Sequence, residues 1–492
     1  MWPEDDSQSC LGLDPWPPKG RSVLPVFFTS LPVGKTPAQC DTARFNVVVG
    51  SIPPEICLTH FHPGQTRPAW LRQAQLAGVL LTLLILLAGA LLWLPPKAPL
   101  PIRVGVVHAL TGSMATSEQP LVDAVRLAVE ELNAQGGLLG RPIELLVADS
   151  ASNWGQAAAE AQRLISTEKV SVLFACWTSA CRKAVKPVVE QHGHLMFYAV
   201  QYEGLEQSPN IIYTGAAPNQ QVIPGAHWAM TNLGRRIYLV GSDYVFPRAA
   251  NMLIKDVAAS AAGVVLAEHY FPLGHSNFDA LVQDMERLHP DVILNTLNGD
   301  SNLHFLKALK ARTNTMPMVS FSLSESELHA MGPAVFHPYH YAVWSYFQNL
   351  ATPANLRFVA AYRARYGADR VTSDPVEASY NNVMLWANAV RESSTADPLR
   401  VNQAMGRQSL AGPSGIVAVD AATRHVWRTV NIGVARPDGQ FDPVQSATEL
   451  VRPTPWPGYR SRSEWQALLA ALLADAATAS AVPHVVVTVA AP

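Results

Sequence analysis

Residues Ile102–Ala148, IRVGVVHALTGSMATSEQPLVDAVRLAVEELNAQGGLLGRPIELLVA, contain one complete strand–helix–strand unit. The segment Ile102–Leu110 is rich in apolar β-branched side chains, as is typical of a buried strand. The glycine pair at 136–137 ends the helix that follows, and Ile143–Ala148 has the composition of a second buried strand. Helical spacing between them is indicated by Leu121, Val125, Ala128, Val129 and Leu132. Two buried strands joined by a helix predict a parallel sheet that is covered on both faces.

The same alternation continues along the chain in three series. The first predicts further strands at Val170–Cys176 and His194–Val200 and helices at Trp154–Glu168 and Arg182–Gln191. A second series begins after Asn219, and a third follows Tyr346. One sheet seldom accommodates so many strands, so we predict an α/β fold with two doubly wound, Rossmann-like lobes.

An apolar run precedes this region. Leu76–Leu94 contains 19 residues of which only Thr82 is polar, and this length nearly spans the hydrocarbon core of a bilayer. We therefore predict one transmembrane helix or signal anchor within residues 71–95. If translation begins near Leu71, the run instead resembles a cleaved signal peptide. Basic residues flank both ends, so their charge does not set the orientation.

The two ends of the chain have a different composition. Residues 1–70 contain eleven prolines and no helical or strand periodicity, which indicates a disordered tail. The alternative is upstream sequence translated from a misassigned start codon. Residues 460–492 are rich in alanine and leucine and then irregular, and we treat them as a C-terminal tail without an assigned role.

Composition excludes several classes of function. The formal net charge of -2 lacks the basic surplus of a nucleic-acid-binding protein. Neither a CxxC motif nor a Cys/His cluster at zinc spacing occurs, so no metal site is predicted. GxGxxG, GxxxxGK[ST], HExxH and GxSxG are also missing, so we predict no cofactor, no catalytic residue and no enzymatic activity.

Two pairs of side chains, one acidic and one of thiols, each allow two interpretations. Glu325 and Glu327 can in principle act as acid and base, but alternate residues do not face each other on a helix, so a solvated helix start is the better interpretation. Cys176 and Cys181 lie five residues apart across a strand-to-helix turn, and we interpret them as buried free thiols rather than a disulfide.

Candidate ligand-binding residues lie where predicted strands end, because ligands bind beyond the carboxyl ends of strands in open α/β sheets. These loops are rich in aromatic and uncharged polar side chains, which suit a small, planar, neutral ligand. Asp243 and Asp300 have helix capping as an equally good alternative. The full candidate set is Trp177, Thr178, Ser179, Tyr198, Val200, Gln201, Tyr202, Asp243, Tyr244, Phe246, Asn298 and Asp300.

Six segments in order resemble the type I periplasmic binding protein superfamily, most closely the urea-binding component of urea ABC transporters. A related resemblance is to the amide-sensing regulator of amidase operons. The most specific segments are CWTSACRKAVKPVVE at Cys176–Glu190 and QYEGLEQSPNIIYTGAAPNQQ at Gln201–Gln221. The others are NAQGGLLGRPIE at Asn133–Glu144, GSDYVFPR at Gly241–Arg248, NGDSN at Asn298–Asn302 and SDPVEASY at Ser373–Tyr380.

The resemblance implies two lobes that are joined by three hinge strands and close on a ligand. It places residues 102–219 and 347–412 in lobe one, and residues 220–346 and 413–459 in lobe two. It also places Trp177, Ser179, Tyr198, Val200 and Phe246 at the ligand. Trp177 and Val200 favour urea over the amide-sensing subtype, whereas Phe246 replaces a tyrosine of both subtypes and loses its hydroxyl.

The function that follows is capture of urea or a short-chain amide, outside the cytoplasm, for an ABC permease. The binding domain is expected in the periplasm or outside the cell, attached to the membrane through Leu76–Leu94. A membrane-anchored or regulatory amide sensor is the alternative, since this fold also serves regulation. A branched-chain amino-acid receptor needs groups for an ammonium and a carboxylate, and the candidate set contains no basic residue.

Overall fold

The computed structural model describes residues 69–92, 99–312 and 315–481. The chain divides into two units, residues 1–95 and residues 96–492, which are described separately. The predicted tail over residues 1–70 lies almost wholly outside the described residues, as do Trp93 and Leu94 of the predicted apolar run and the end of the chain from 482.

The described part of the first unit is helix α1, Ala69–Leu92. Its 24 residues span about 36 Å at 1.5 Å per residue. The side chains of residues 69–87 are exposed, and leucines lie on every face of the helix. By length and composition, Ala69–Leu87 is apolar enough to cross a membrane.

The second unit begins with a five-stranded parallel sheet, and we call the part of the protein built on it lobe one. In sequence the strands are β1 (Ile102–His108), β2 (Ile143–Asp149), β3 (Leu173–Ala175), β4 (Met196–Tyr198) and β5 (Ile211–Tyr213). Their order in the sheet is β2-β1-β3-β4-β5. Between β1 and β3 the order reverses, and such a switch point leaves a crevice at the carboxyl ends of the strands.

Helices from two regions of the chain cover this sheet. Those from the first region are α2 (Ala115–Ala134), α3 (Trp154–Ser166) and α4 (Ser179–Gln191). Those from the second are α10 (Pro353–Tyr366), α11 (Asp374–Ser393) and α12 (Pro398–Ala404), and both α10 and α11 pack on α2. The chain therefore leaves lobe one after β5 and returns to it before α10.

Lobe two is built on a seven-stranded sheet. Its strands are β6 (Arg236–Ser242), β7 (Val264–Phe271), β8 (Val292–Thr296), β9 (Met318–Ser320), β10 (His340–Trp344), β14 (Asn431–Ala435) and β15 (Phe441–Ser446). The order is β15-β14-β10-β9-β8-β6-β7, with β14 and β15 antiparallel to their neighbours. The helices of this region are α5 (Val222–Asn232), α6 (Val245–Ser260), α7 (Asp279–Leu288), α8 (Ser301–Arg312) and α9 (Glu325–Met331).

A small antiparallel sheet differs from the predicted division of the chain. It consists of β11 (Ser409–Gly412), β12 (Gly415–Val419) and β13 (Val426–Trp427). Val417, Val419 and Val426 are buried in the same core as β1 and α11. Residues 413–427, expected in lobe two, therefore pack on lobe one, because their apolar side chains find their core there.

The C-terminal segment also has a place in the fold. Helix α13, Arg462–Ala481, packs on α6, and Trp465 is fully buried there. The indole Nε1 of Trp465 donates to the carbonyl oxygen of Pro457 at 2.8 Å. The described part of the segment treated as a tail is thus a helix docked on lobe two.

Candidate ligand-binding site

The crevice between the lobes brings predicted residues from both sheets into direct contact. The indole Nε1 of Trp177, which follows β3, donates to Oδ1 of Asn298, which follows β8, at 3.1 Å. Nε2 of Gln201 donates to the carbonyl oxygen of Phe321 at 2.9 Å. At a third contact, a Cβ added to Gly299 would lie 2.5 Å from the carbonyl oxygen of Ser113, so only glycine allows this approach. The lobes therefore meet at the predicted loops.

Helix α4 begins two residues after Trp177, next to this crevice. Thr178 is the N-cap, and its hydroxyl oxygen accepts from the backbone N–H of Cys181 at 3.1 Å. Ser179 and Ala180 are the first two helical residues, so their N–H groups have no acceptor within the helix. Such a helix start can bind a carbonyl oxygen or an anion.

Cys176 and Cys181 form a disulfide across the turn into α4, with a Cα–Cα distance of 5.6 Å. The prediction of buried free thiols was wrong. Cys176 has a positive φ of 70°, and the Thr178 cap draws the backbone of Cys181 back toward the strand end. The turn thereby brings two residues, five apart in sequence, within the separation that a disulfide needs.

Two hydroxyl groups of the predicted set lie in lobe one with defined partners. Ser179 Oγ donates to Glu203 Oε2 at 2.5 Å and accepts from Arg182 Nη1 at 3.0 Å. The Tyr198 hydroxyl donates to the carbonyl oxygen of Trp177 at 2.5 Å. Ser179 and Tyr198 are both buried, so these hydrogen bonds form away from bulk solvent.

A buried charge cluster lies behind these hydroxyls. Arg182 is fully buried and pairs with Glu203 at 3.2 Å and Glu206 at 2.9 Å, while Lys183 pairs with Glu206 at 2.8 Å. The Arg182 guanidinium also lies 4.5 Å from the ring centroid of Tyr198. Two cations face two carboxylates, and the cluster is electrically balanced.

The pKa values reflect this pairing. Burial opposes ionisation of both Arg182 and Glu206, yet Glu206 and Glu203 raise the pKa of Arg182 well above its ordinary value. Burial likewise disfavours the charged form of Glu206, but Arg182 and Lys183 lower its pKa far below the usual range. Sequence reasoning missed Arg182, Glu203 and Glu206 as site residues, although all three lie in the two most specific segments.

Tyr202 belongs to the packing behind the site rather than to the crevice. Its hydroxyl hydrogen-bonds to the carbonyl oxygen of Glu206 at 3.2 Å and to Nε2 of His425. Its ring stacks on Tyr213 with centroids 5.3 Å apart. Burial lowers the pKa of His425 to about 4, so this histidine is neutral near pH 7. Val200 is similarly buried in the core of lobe one.

Lobe two contributes aromatic rings opposite these groups. Tyr244 and Phe246 have centroids 6.4 Å apart, and both are buried. Burial, followed by the nearby Tyr198 and Glu203, raises the pKa of Tyr244 well above its ordinary value. The ring of Tyr244 lies 6.4 Å from that of Trp154 in lobe one, and its own hydroxyl remains neutral.

Two further polar atoms at this contact are buried without a partner among the described residues. They are Gln201 Oε1 and Ser322 Oγ, and Ser322 directly follows the Phe321 carbonyl that binds Gln201. Buried polar atoms nearly always have partners, so these two atoms are candidates for hydrogen bonds to a polar ligand.

The two predicted acidic residues lie at the margin. Asp243 is exposed and pairs with Arg248 at 2.7 Å, so its carboxylate is bound outside the crevice. Asp300 is half-buried just before α8, and its backbone N–H donates to the carbonyl oxygen of Ser113 at 3.2 Å. Burial raises the pKa of Asp300.

Another contact between the lobes involves the glutamates at the start of α9. Ser117 Oγ on α2 donates to Glu327 Oε1 at 2.5 Å, while Ser324 caps the helix through Glu327 Oε2. Glu325 accepts from the backbone N–H of Gln348 at 3.0 Å. Both glutamates are buried, so the prediction of a solvated helix start was wrong: lobe one covers this end of α9.

The described residues contain no group of three or more His, Cys, Asp or Glu side chains placed to hold a metal ion.

Residues 102–462 match the sequence profile of a family described as periplasmic binding protein domain. The chain belongs to this family. The match covers both sheets, the crevice between them and the start of α13. This periplasmic binding protein therefore has the predicted α/β fold of two lobes, and the superfamily assignment made from the sequence is confirmed.

Solved structures of solute-binding proteins share the fold. A protein from Rhodopseudomonas palustris BisB5 in complex with 3,4-dihydroxy benzoic acid is 21% identical, with a TM-score of 0.64, over 70% of this chain and 97% of that one. A branched-chain amino acid transporter protein from Streptococcus pneumoniae with isoleucine is 19% identical, with a TM-score of 0.61, over 72% of this chain and 100% of that one.

Curated relatives match shorter parts of the chain. A limonene hydroxylase of Geobacillus stearothermophilus is 32% identical over 116 residues, which span 24% of this chain and only 21% of that protein. Leu/Ile/Val-binding protein homolog 8 of Brucella abortus (strain 2308) is 25% identical over 297 residues, 54% of this chain and 70% of that protein.

Proposed function

We propose that the protein is an extracytoplasmic solute-binding protein that captures a small neutral amide, with urea as the best candidate. The observation that carries the proposal is the composition of the crevice. Its polar groups are hydroxyls, amides and free N–H groups, and the cations behind it, Arg182 and Lys183, are bound by Glu203 and Glu206. A neutral ligand needs hydrogen bonds here and no counter-charge.

Urea fits this set by its hydrogen-bonding capacity. It has one carbonyl oxygen and four N–H donors. The N–H groups of Ser179 and Ala180 are donors for the carbonyl, while Gln201 Oε1 and the Ser179 hydroxyl oxygen are acceptors for N–H groups. The rings of Trp177, Tyr244 and Phe246 supply apolar surface for a planar ligand.

A branched-chain amino acid is the second candidate. The names of the Brucella relatives favour it, and the free N–H groups at the start of α4 suit a carboxylate. An α-ammonium group needs a free carboxylate beside it. Glu203 and Glu206 are already neutralised by Arg182 and Lys183, and this argues for the amide.

Calorimetric titration of the purified full chain in detergent tests the proposal. The panel is urea, acetamide, formamide, leucine and 4-hydroxybenzoate. Urea or acetamide should bind with a stoichiometry of one, and leucine and 4-hydroxybenzoate should bind at least about tenfold more weakly. Binding of leucine alone, or of the benzoate alone, would overturn the assignment of a neutral amide.

The partner and the location follow from the same proposal. A solute-binding protein for transport delivers its ligand to an ABC permease, whereas a sensor relays ligand binding to a regulator. Helix α1 holds the binding unit at the membrane as a retained anchor or directs its export as a signal. We favour the retained anchor, because bulky residues follow the small residues Ala88, Gly89 and Ala90, which makes this a poor site for signal-peptide cleavage. We propose further that the protein is not an enzyme.

A further inference from the structure

The hydrogen bonds of Ser179 have a fixed direction. A serine hydroxyl carries one proton and two acceptor lone pairs. The Glu203 carboxylate that pairs with Arg182 can only accept, and a guanidinium can only donate. The Ser179 proton therefore goes to Glu203, and one lone pair of Ser179 accepts from Arg182. A single lone pair of Ser179 Oγ remains. Toward a ligand, Ser179 is therefore an acceptor and not a donor.

The hydrogen bond of the Tyr198 hydroxyl also has a fixed direction. Its proton is donated to the carbonyl oxygen of Trp177, and the Arg182 guanidinium covers the face of its ring. Ser179 and Arg182 also lie within hydrogen-bonding reach of the Tyr198 hydroxyl. Neither of the two neighbouring hydroxyls therefore keeps a proton for a ligand.

The charge cluster keeps these directions from reversing. Ser179 could donate to a ligand only if Glu203 gave up its hydrogen bond. Glu203 and Arg182 are both fully buried, so a carboxylate oxygen that loses the Ser179 proton cannot turn to water instead. Leaving a buried charged acceptor without its donor costs more than leaving a neutral acceptor unpaired.

We propose that Glu203 and Arg182 are positioning residues that make Ser179 an obligate acceptor, so that the crevice selects ligands bearing N–H groups over carboxylates of the same shape. This proposal rests on the proposed function and explains how the crevice would select amides. Acetamide and acetate are a matched pair, because they differ only in an NH₂ group against a carboxylate oxygen. Opposite Ser179, acetamide places a donor, whereas acetate places a second acceptor. Sites built to bind a particular N–H reject analogues that lack it.

The test is the ratio of acetamide affinity to acetate affinity, measured by calorimetry on the full chain in detergent. The unaltered protein should prefer acetamide. In Glu203→Gln, the serine proton is no longer held by a carboxylate, so Ser179 can donate and the ratio should fall by about tenfold. That is about 1.4 kcal/mol, close to the lower limit for a hydrogen bond to a charged group.

A double-mutant cycle separates positioning from general damage. Ser179→Ala should itself lower the ratio, and Glu203→Gln should then change the ratio no further, because it acts through the serine hydroxyl. Ser179→Thr, which keeps the hydroxyl, should preserve the ratio. If Glu203→Gln changed the affinity ratio equally in the presence and absence of the Ser179 hydroxyl, Glu203 would not act through Ser179, and the proposal would be overturned.

Folding is checked by circular dichroism. If Glu203→Gln does not fold, Glu203→Asp keeps the charge for Arg182 but shortens the side chain, and the same fall in the ratio is expected. Should neither variant fold, an unchanged ratio in Ser179→Ala is enough to overturn the inference. Failure of the unaltered protein to bind urea or acetamide would instead overturn the proposed function, whereas normal binding with unchanged ratios in the variants rejects only the role of Glu203.

Discussion

At the scale of single residues, the crevice depends on groups whose partners are already defined. Ser179 lies at the junction of the α4 start, Glu203 and Arg182. Phe246 has no hydroxyl, so this side chain offers a ligand only a ring face. We therefore expect a small ligand to form its hydrogen bonds with polar groups of lobe one, including Gln201, and with the Ser322 hydroxyl of lobe two.

Ser179→Ala should weaken urea binding by about tenfold, because loss of one buried hydrogen bond costs about 1.4 kcal/mol. Raising the salt concentration several-fold should change the affinity far less, since screening acts on charges. Calorimetry measures both effects. Phe246→Tyr is the matched variant in lobe two: an added hydroxyl should leave urea binding equal or tighter. A steep salt dependence with an indifferent Ser179→Ala would show that the ligand is charged.

At the scale of elements, helices α4 and α1 have different roles in the predicted function. The N-terminus of α4 is fixed by the Thr178 cap and by the disulfide between Cys176 and Cys181, so its free N–H groups have a defined position. Helix α1 is different, because it exposes leucines on every face. In water such a surface would associate, and we therefore expect a bilayer to cover it.

Removal of α1 should therefore change the location of the protein without changing its affinity. The full chain should be found in the membrane fraction, and a chain beginning at Pro101 should be soluble and bind urea equally well. Fractionation with immunoblotting measures the first, and calorimetry the second. Full-length protein recovered intact from the soluble fraction would contradict the anchor. A shortened N-terminus in mass spectrometry would instead establish a cleaved signal.

At the scale of the whole binding unit, direct hydrogen bonds join the two lobes. They include those from Trp177 to Asn298, from Gln201 to Phe321 and from Ser117 to Glu327. The glutamate is the titratable member of this set. Burial raises its pKa to about 7, opposed by hydrogen bonds from Ser117 and Ser324 and assisted by Asp300. Contact between the lobes is thus linked to protonation.

Glu327 should make the protein less stable as the pH rises. Its folded-state pKa of about 7 lies above the unfolded value of 4.5, so the stabilisation is complete below about pH 4.5 and is lost as the pH rises through about 7. The difference amounts to at most about 3 kcal/mol. Thermal unfolding at pH 5 and pH 8 measures it.

The matched control for that measurement is Glu327→Gln, which cannot ionise. Asp374, whose pKa burial raises to about 6, is present in both proteins and cancels in the comparison. The variant should lose less stability than the unaltered protein between the two pH values. Identical losses would show that Glu327 is not protonated in the folded protein.

Ligand should also change the shape of the binding unit. Two lobes joined by a few crossing segments can separate in the absence of ligand, and a ligand that binds both lobes favours the closed form. Small-angle scattering of the chain beginning at Pro101 should give a smaller radius of gyration with saturating urea. An unchanged profile, with binding shown separately, would reject closure.

The sequence by itself determined the local elements and their class. Parallel strands buried on both faces carry continuous apolar runs, and helices carry a period of 3.6, so β1, β2 and the helices α2, α3 and α11 were predictable. The length of the apolar helix α1 was likewise predictable from the local sequence. Strand-end loops could be selected as candidate sites because the topology of α/β sheets fixes where ligands bind, and Trp177 and Asn298 do meet across the lobes.

Only the tertiary structure decided which side chains share an environment. The disulfide depends on the turn after β3, the charge cluster on packing of α4 against residues 203–206, and the burial of Glu325 and Glu327 on lobe one. Residues 413–427 and Trp465 pack where apolar surface was available, which no local pattern specifies. Periodicity reports which face of an element is buried; it carries no information about the partner that buries it, because that contact is made by residues distant in sequence.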